Sequence, residues 1–189
     1  MRRKEREIKN PEEIKDVLDK SFALHLGIND DGHIYVVPVN FGYKVEKVAG
    51  GTSEIAAETT PGNTSASTVA SRHATTPDCE KYTFYFHGAK AGRKFNLLKN
   101  GALVGFECET DFSLLEGKVA CDYSAFYASV IGEGKVSLIE DNDEKKSALN
   151  LIMKKACRKD DWDYPAAMLA GVAVFKLEVL ELSCKKHKR

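Results

Sequence analysis

The sequence has no surplus of either charge: 28 Lys and Arg stand against 28 Asp and Glu. A chain that tracks nucleic-acid phosphates normally carries a basic excess, so no nucleic-acid partner is expected. No apolar run approaches the roughly 20 residues that carry a helix across a bilayer, so no membrane association is expected. The start, Met1-Arg2-Arg3-Lys4-Glu5-Arg6, is followed by more charge and not by an apolar stretch. A secretory leader is therefore not expected, and the reading is a soluble, cytoplasmic protein. Cysteine is sparse and unpatterned. Cys79, Cys108, Cys121, Cys157 and Cys184 form no CxxC and no repeated spacing, which points to reduced thiols rather than a disulfide framework. His33 and His73 have no Cys, Asp or Glu at metal-ligand spacing, so no metal site is expected. The one dense basic run, residues 185–189, reads as a solvated tail.

What is present is a hydrophobic fraction of 43%, enough for a core. Asn10-Pro11-Glu12-Glu13 opens a helix: Asn caps the free amides, Pro suits the first position and the acids face the positive end. Ile14, Val17 and Leu18 continue it at helical spacing to about Lys20. A strand is expected from Phe22 to Ile28, and Asn29-Asp30-Asp31-Gly32 is a hairpin turn. The return strand, His33 to Tyr43, contains Pro38, so it must be interrupted, bulged or at an edge there, where a ligand could take over hydrogen bonding. Further strands are expected at Thr83–Phe86, Ala102–Cys108, Tyr123–Ile139 and Gly171–Leu182. A bend is expected at Gly132 and Gly134. A short helix should end at Asn100-Gly101. Another, capped by Asp141-Asn142-Asp143-Glu144, should pack through Ala148, Leu151 and Ile152. About six strands with short helices favour an antiparallel barrel over a doubly wound sheet.

Residues 49–78 differ in kind: 22 of these 30 are Thr, Ser, Ala, Gly or Pro, and Ile55 and Val69 are the only strong hydrophobes. The composition is that of a long insertion between two strands, outside the core and dispensable for folding. Residues 1–189 otherwise read as a single domain.

Chemistry concentrates in Tyr85-Phe86-His87-Gly88-Ala89-Lys90-Ala91-Gly92-Arg93-Lys94. The segment leaves a strand, passes two glycines and enters a helix carrying two adjacent cations. Phosphate recognition uses such parts: glycine for close approach, a helix start for oriented donors, Arg for a fork of N–H groups. A capped helix with solvated Lys90, Arg93 and Lys94 would give the same spacing.

Three segments together resemble the pyridoxamine 5'-phosphate oxidase-like superfamily of FMN-binding split barrels, closest to its 5-nitroimidazole-resistance branch. They are Asp31-Gly32-His33-Ile34-Tyr35-Val36-Val37-Pro38-Val39-Asn40-Phe41-Gly42-Tyr43, the segment from Phe86-His87-Gly88-Ala89 to Arg93-Lys94, and Tyr127-Ala128-Ser129-Val130-Ile131-Gly132-Glu133-Gly134-Lys135. The resemblance implies a mainly β fold, a six-stranded antiparallel split β-barrel with short helices. It further implies FMN as cofactor and a homodimer with the flavin at the subunit interface. Tyr35, Val36, Val37, Pro38, Val39 and Asn40 should border the isoalloxazine ring, largely through main-chain groups. Arg93 and Lys94 take the phosphate pair, His87 and Gly92 flank that loop, and Ser129 stands where the family has a polar contact on the neighbouring strand. Two departures stand out: His33 replaces the usual proline, and Lys90-Ala91-Gly92 lengthens the loop by about one residue.

The activity implied is FMN-dependent reduction of a small molecule, nitroaromatic compounds among the candidates, with a nicotinamide cofactor as a possible electron donor. No residue stands out as a general acid or base, so no catalytic side chain is assigned. The alternative is a module on the same fold that binds flavin or haem without turnover, His87 being the candidate haem ligand. His25 reads as a core or edge histidine, Cys121 as an idle thiol, and Trp162 as a lid anchor or a cover for a partner's flavin.

Overall fold

The first helix forms where its cap places it. In the computed structural model, which describes residues 3–48 and 79–187, α1 (Pro11–Lys20) begins after Asn10, whose side chain accepts from the Glu12 amide. Ile14, Val17 and Leu18 are buried along one face. Ser21 closes the helix, its amide and its Oγ both donating to the Val17 carbonyl. That closure leaves Phe22 in a link, 85% exposed, so the strand expected from Phe22 starts two residues later.

The strands are β1 (Glu7–Ile8), β2 (Leu24–Asp30), β3 (His33–Val39), β4 (Phe41–Val48), β5 (Cys79–Ala89), β6 (Ala102–Leu115), β7 (Ser124–Ile139) and β8 (Val172–His187). They form one sheet in the order β3-β2-β6-β7-β8-β5-β4, with β1 added beside β8. β3 and β4 end that order, yet only Asn40 separates them along the chain, so the sheet curls until its ends meet. Phe84 of β5 and Phe106 of β6, three places apart in the order, touch edge-on at 5.2 Å across the interior. Leu24, Leu26, Ile28, Phe86, Val104, Phe175 and Leu177 fill the rest of that interior. The fold is thus an antiparallel split barrel with short helices, in eight strands among the described residues rather than six. Asn40 divides the expected strand 33–43 in two, and β1 carried no apolar pattern by which to read it.

The helix α3 (Asn142–Cys157) is capped by Asp141, whose carboxylate accepts from the amides of Asp143 and Glu144. With α4 (Ala166–Gly171) it covers one outer face of the barrel through Ile139, Ala148, Leu149, Ile152, Leu169 and Val174. Leu149 takes the place expected of Leu151, which is only half-buried. The expected bend in β7 is a register shift at Glu133/Gly134 against β8.

The basic run is no solvated tail up to residue 187. β8 continues through it: Lys185 lies over the Tyr127 ring, Lys186 pairs with Asp111 at 3.3 Å, and His187 Nδ1 is 2.6 Å from the Ala125 carbonyl oxygen. Residues 3–44 and 82–187 belong to one compact unit; the second unit, 45–81, is described only at 45–48 and 79–81. The insertion read over 49–78, His73, Lys188 and Arg189 lie outside the described residues.

Candidate functional site

The site begins at the turn between β2 and β3. Asn29 Oδ1 accepts from the Gly32 amide at 2.9 Å, and Asp31 and Gly32 both adopt positive φ, 51° and 87°, as a tight hairpin requires. The turn uses Asn29, Asp31 and Gly32 and leaves the Asp30 carboxylate free to point elsewhere. From the other side, β5 ends at Ala89, and Gly92 at φ 89° turns the chain into α2 (Arg93–Leu98). Only six residues long and without a side-chain cap, α2 contributes cations rather than a strong dipole.

Arg93 crosses to the hairpin. Its Nε and one terminal nitrogen lie 2.7 and 2.6 Å from the same oxygen, Asp30 Oδ2, and its guanidinium carbon sits 4.5 Å from the Tyr35 ring centroid. The pair with Asp30 fixes rotation of the guanidinium, and the ring fixes its tilt. Lys94 folds back over β5 and donates to the His87 carbonyl at 3.2 Å. A Cβ on Gly88 would lie 2.9 Å from Lys94 Nζ, so glycine there makes room for the lysine.

Burial pulls the Lys94 ammonium below its ordinary value. The His87 imidazole is also pulled below its ordinary value, first by desolvation and then by the charge of Lys94. His87 therefore stays neutral in the folded chain at a pH where the unfolded chain is already protonated. Between the unfolded value near 6.5 and the lower folded value, the unfolded state binds more protons, so stability falls as pH drops through that window. NMR titration should place the His87 transition below 6.5, and His87→Asn should flatten the denaturation midpoint between pH 7 and 5. A transition at or above the free-imidazole value would contradict this.

The structure gathers Tyr35, His87, Gly92, Arg93 and Lys94 at one end of the barrel. Ser129 is elsewhere. It is buried on β7 between Glu109 and Lys185, whereas His87 pairs with Val174 and so reaches β7 at Ile139. Ten residues, 129 to 139, separate the two levels, roughly 30 Å of strand. The far end of β3 shares the level of Ser129: Pro38, His25, Glu107 and Ile131 form one row, with Ser129 two residues beyond. Val37 and Val39 turn inward, Val36 and Pro38 outward, and Asn40 is exposed between β3 and β4. β3 ends the sheet order, one of the three outcomes Pro38 allowed, so its outer edge pairs with no strand among the described residues.

Sequence reading missed Asp30. Its signal was the first acid in Asn29-Asp30-Asp31-Gly32, which the turn itself does not need. Of the other candidates, His25 is not a core residue; it is partly exposed, with Nδ1 3.3 Å from Glu107 Oε2. Trp162 is held by its main chain, the Asn150 side chain bonding both its N–H and its carbonyl, while its ring is exposed beside Lys159. Cys108 and Cys184 are buried, and burial pushes both thiols up to about 11. A polar depression of about 530 Å³ beside Arg6, Lys9, Glu13 and Lys186 contains none of the residues expected to bind a cofactor.

No curated protein matches the sequence. Among solved structures, a candidate 5-nitroimidazole antibiotic resistance protein from Bacteroides thetaiotaomicron is 26% identical, with a TM-score of 0.67 over 95% of this chain and 86% of its own. An FAD- and haem-binding protein from Mycobacterium smegmatis shares the fold at 16% identity, with a TM-score of 0.69 over 97% of this chain and 74% of its own. A flavocytochrome from Azotobacter vinelandii does so at 19% and 0.67, over 100% of this chain and 72% of its own. The family profile described as pyridoxamine 5'-phosphate oxidase matches residues 75–186, more than half of the chain, a stretch that includes Arg93, Lys94 and most of the sheet. The chain belongs to the pyridoxamine 5'-phosphate oxidase family.

Proposed function

We propose that this chain binds FMN, its phosphate on Arg93 and Lys94 and its ring along the edge of β3, and that it reduces a small molecule through that flavin. The observation that carries this reading is the seat of Arg93 on Tyr35, which joins the cation pair to the edge strand. The donor set fits a phosphate. Arg93 keeps N–H groups beyond those given to Asp30, and Lys94, partly desolvated, donates to the neutral carbonyl of His87, so an anion would compensate it. The unpaired edge of β3 fits a ring held by main-chain groups. A bound flavin would supply the hydride or electron transfer, while the protein supplies position and electrostatics. Nitroaromatic compounds are the first substrates to try, on the strength of the nitroimidazole-resistance relative.

The purified protein should show a two-band flavin spectrum, and FMN should bind more tightly than riboflavin. Equal affinity for the two would sink the phosphate assignment; preference for FAD would extend the ligand to a dinucleotide. A second reading has two observations in its favour: desolvation and the charge of Lys94 favour the neutral imidazole of His87, the form that ligates haem iron, and one fold neighbour is an FAD- and haem-binding protein and another a flavocytochrome. A single intense Soret band would establish it.

We further propose a homodimer. Ile34 (71% exposed), Val36 (61%), Leu103 (57%), Pro38 and Ile131 share one outer face across β3, β2, β6 and β7. Gly27 pairs with Gly105 at its centre and keeps it flat. A flat face with these exposed apolar groups, crossed by the His25–Glu107 pair between Pro38 and Ile131, suits a second copy, and a second chain could also bring a Ser129 toward the phosphate end. Light scattering should report a dimer, and Val36→Asp with Leu103→Asp a monomer. A wild-type monomer with flavin bound would overturn this.

A further inference from the structure

We infer that Asp30 is a positioning residue for the phosphate-binding arginine: it holds Arg93 so that the guanidinium's remaining N–H edge is presented to the anion before any ligand arrives. The inference rests on the FMN reading above and goes one residue deeper. Arg93 has five N–H donors. Nε–H and one terminal N–H go to Asp30 Oδ2 at 2.7 and 2.6 Å, and Tyr35 supports one face at 4.5 Å. Held on two sides, the guanidinium can rotate little, and its three remaining N–H groups form a preset edge. A free arginine on so short a helix would sample many rotamers and lose that freedom on binding. The hairpin that carries Asp30 is itself stiff, closed by Asn29 and by the two positive-φ residues. Asp30 thus fixes the reach of a cation 63 residues away.

The obvious objection is that a carboxylate beside a phosphate site repels the ligand. The two effects have opposite signs in one experiment. If Asp30 acted only by charge, Asp30→Asn would tighten FMN; if it positions Arg93, the same change weakens FMN even though the site becomes more positive. The expected loss is roughly tenfold, the scale on which supporting partners act on the groups they orient. Riboflavin, which has no phosphate, should bind Asp30→Asn and wild type alike. In an Arg93→Ala background Asp30→Asn should no longer weaken FMN, because Asp30 acts through Arg93.

A ligand-free readout accompanies the titrations. Proton–nitrogen spectra of the wild-type chain should show one arginine Nε–H protected from exchange, and that signal should vanish in Asp30→Asn and in Arg93→Ala. Unchanged or tighter FMN binding by Asp30→Asn overturns the inference, as does the absence of a protected Nε–H in wild type. Wild type binding neither FMN nor riboflavin would instead bring down the flavin reading on which the inference stands, and that is seen before any variant is made.

Discussion

Replacing Arg93 and Lys94 together with alanine should lower FMN affinity by about two to four orders of magnitude and leave the fold intact. Hydrogen bonds to charged groups contribute roughly 1.5–3 kcal/mol each, and each 1.4 kcal/mol is about tenfold in affinity. Neither side chain holds the barrel together. Arg93 bonds an exposed hairpin turn, and Lys94 lies over the surface end of β5. The core of Phe84, Phe86, Phe106 and Phe175 does not depend on them. Riboflavin is the control, since it keeps the ring and lacks the phosphate. Isothermal titration with FMN and riboflavin, beside the circular dichroism of the variant, gives all three quantities. An FMN affinity reduced less than tenfold in a folded double variant would show that the phosphate lies elsewhere, and the neutral His87 would then gain weight as the chemically interesting group.

The parts of this site legible in the sequence are those fixed by neighbours in the chain. Asn10 at the start of α1, Asp141 at the start of α3 and the Asn29–Gly32 turn are settled by bonds between residues two or three apart. Residue type and order suffice to read them. Pro38 required an interruption, a bulge or an edge because proline lacks the donor that a central strand needs, and β3 is where the sheet order ends. The three segments that resemble the oxidase superfamily gave the fold, which the family profile and the structural relatives bear out.

What stayed hidden depends on register and on residues far apart. The Arg93–Asp30 pair spans 63 positions, and no local pattern links them. The extension of β8 through the basic run was invisible because its support comes from Asp111, Ala125 and Tyr127 on other strands. Ser129 was read from the resemblance as a polar contact on a neighbouring strand, and only strand pairing shows its level on β7, ten residues from the one His87 reaches. Phe22 was read as strand because it is apolar, but the closure of α1 at Ser21 turns it out. Long-range pairing decided the first three, and the local closure of a helix decided the last.

Gly42→Ala should be strongly destabilising, and through packing rather than through a turn. Gly42 lies in β4 where it passes α3, and a Cβ there would fall 2.5 Å from the Ile152 nitrogen and 2.6 Å from the Leu151 oxygen. Both are backbone atoms inside a helix, so no side-chain rotation can relieve the clash; strand and helix would have to separate. That separation would disturb Leu149 and Ile152, which seal the outer core with Ile139, Leu169 and Val174. Overpacking typically costs about 1–3 kcal/mol, and with rigid atoms on both sides the upper end is expected, close to 3. For a chain of this size each kcal/mol lowers the melting temperature by roughly 2–4 °C, so a drop near 10 °C should be seen. Gly171→Ala provides the contrast. It closes α4 with no atom within 4 Å of the added methyl, and alanine there should change stability by less than about 1 kcal/mol, in the stabilising direction if helix preference decides. Urea denaturation of the two variants beside wild type reads the difference directly. Equal midpoints for Gly42→Ala and Gly171→Ala would mean that β4 and α3 do not approach this closely in solution.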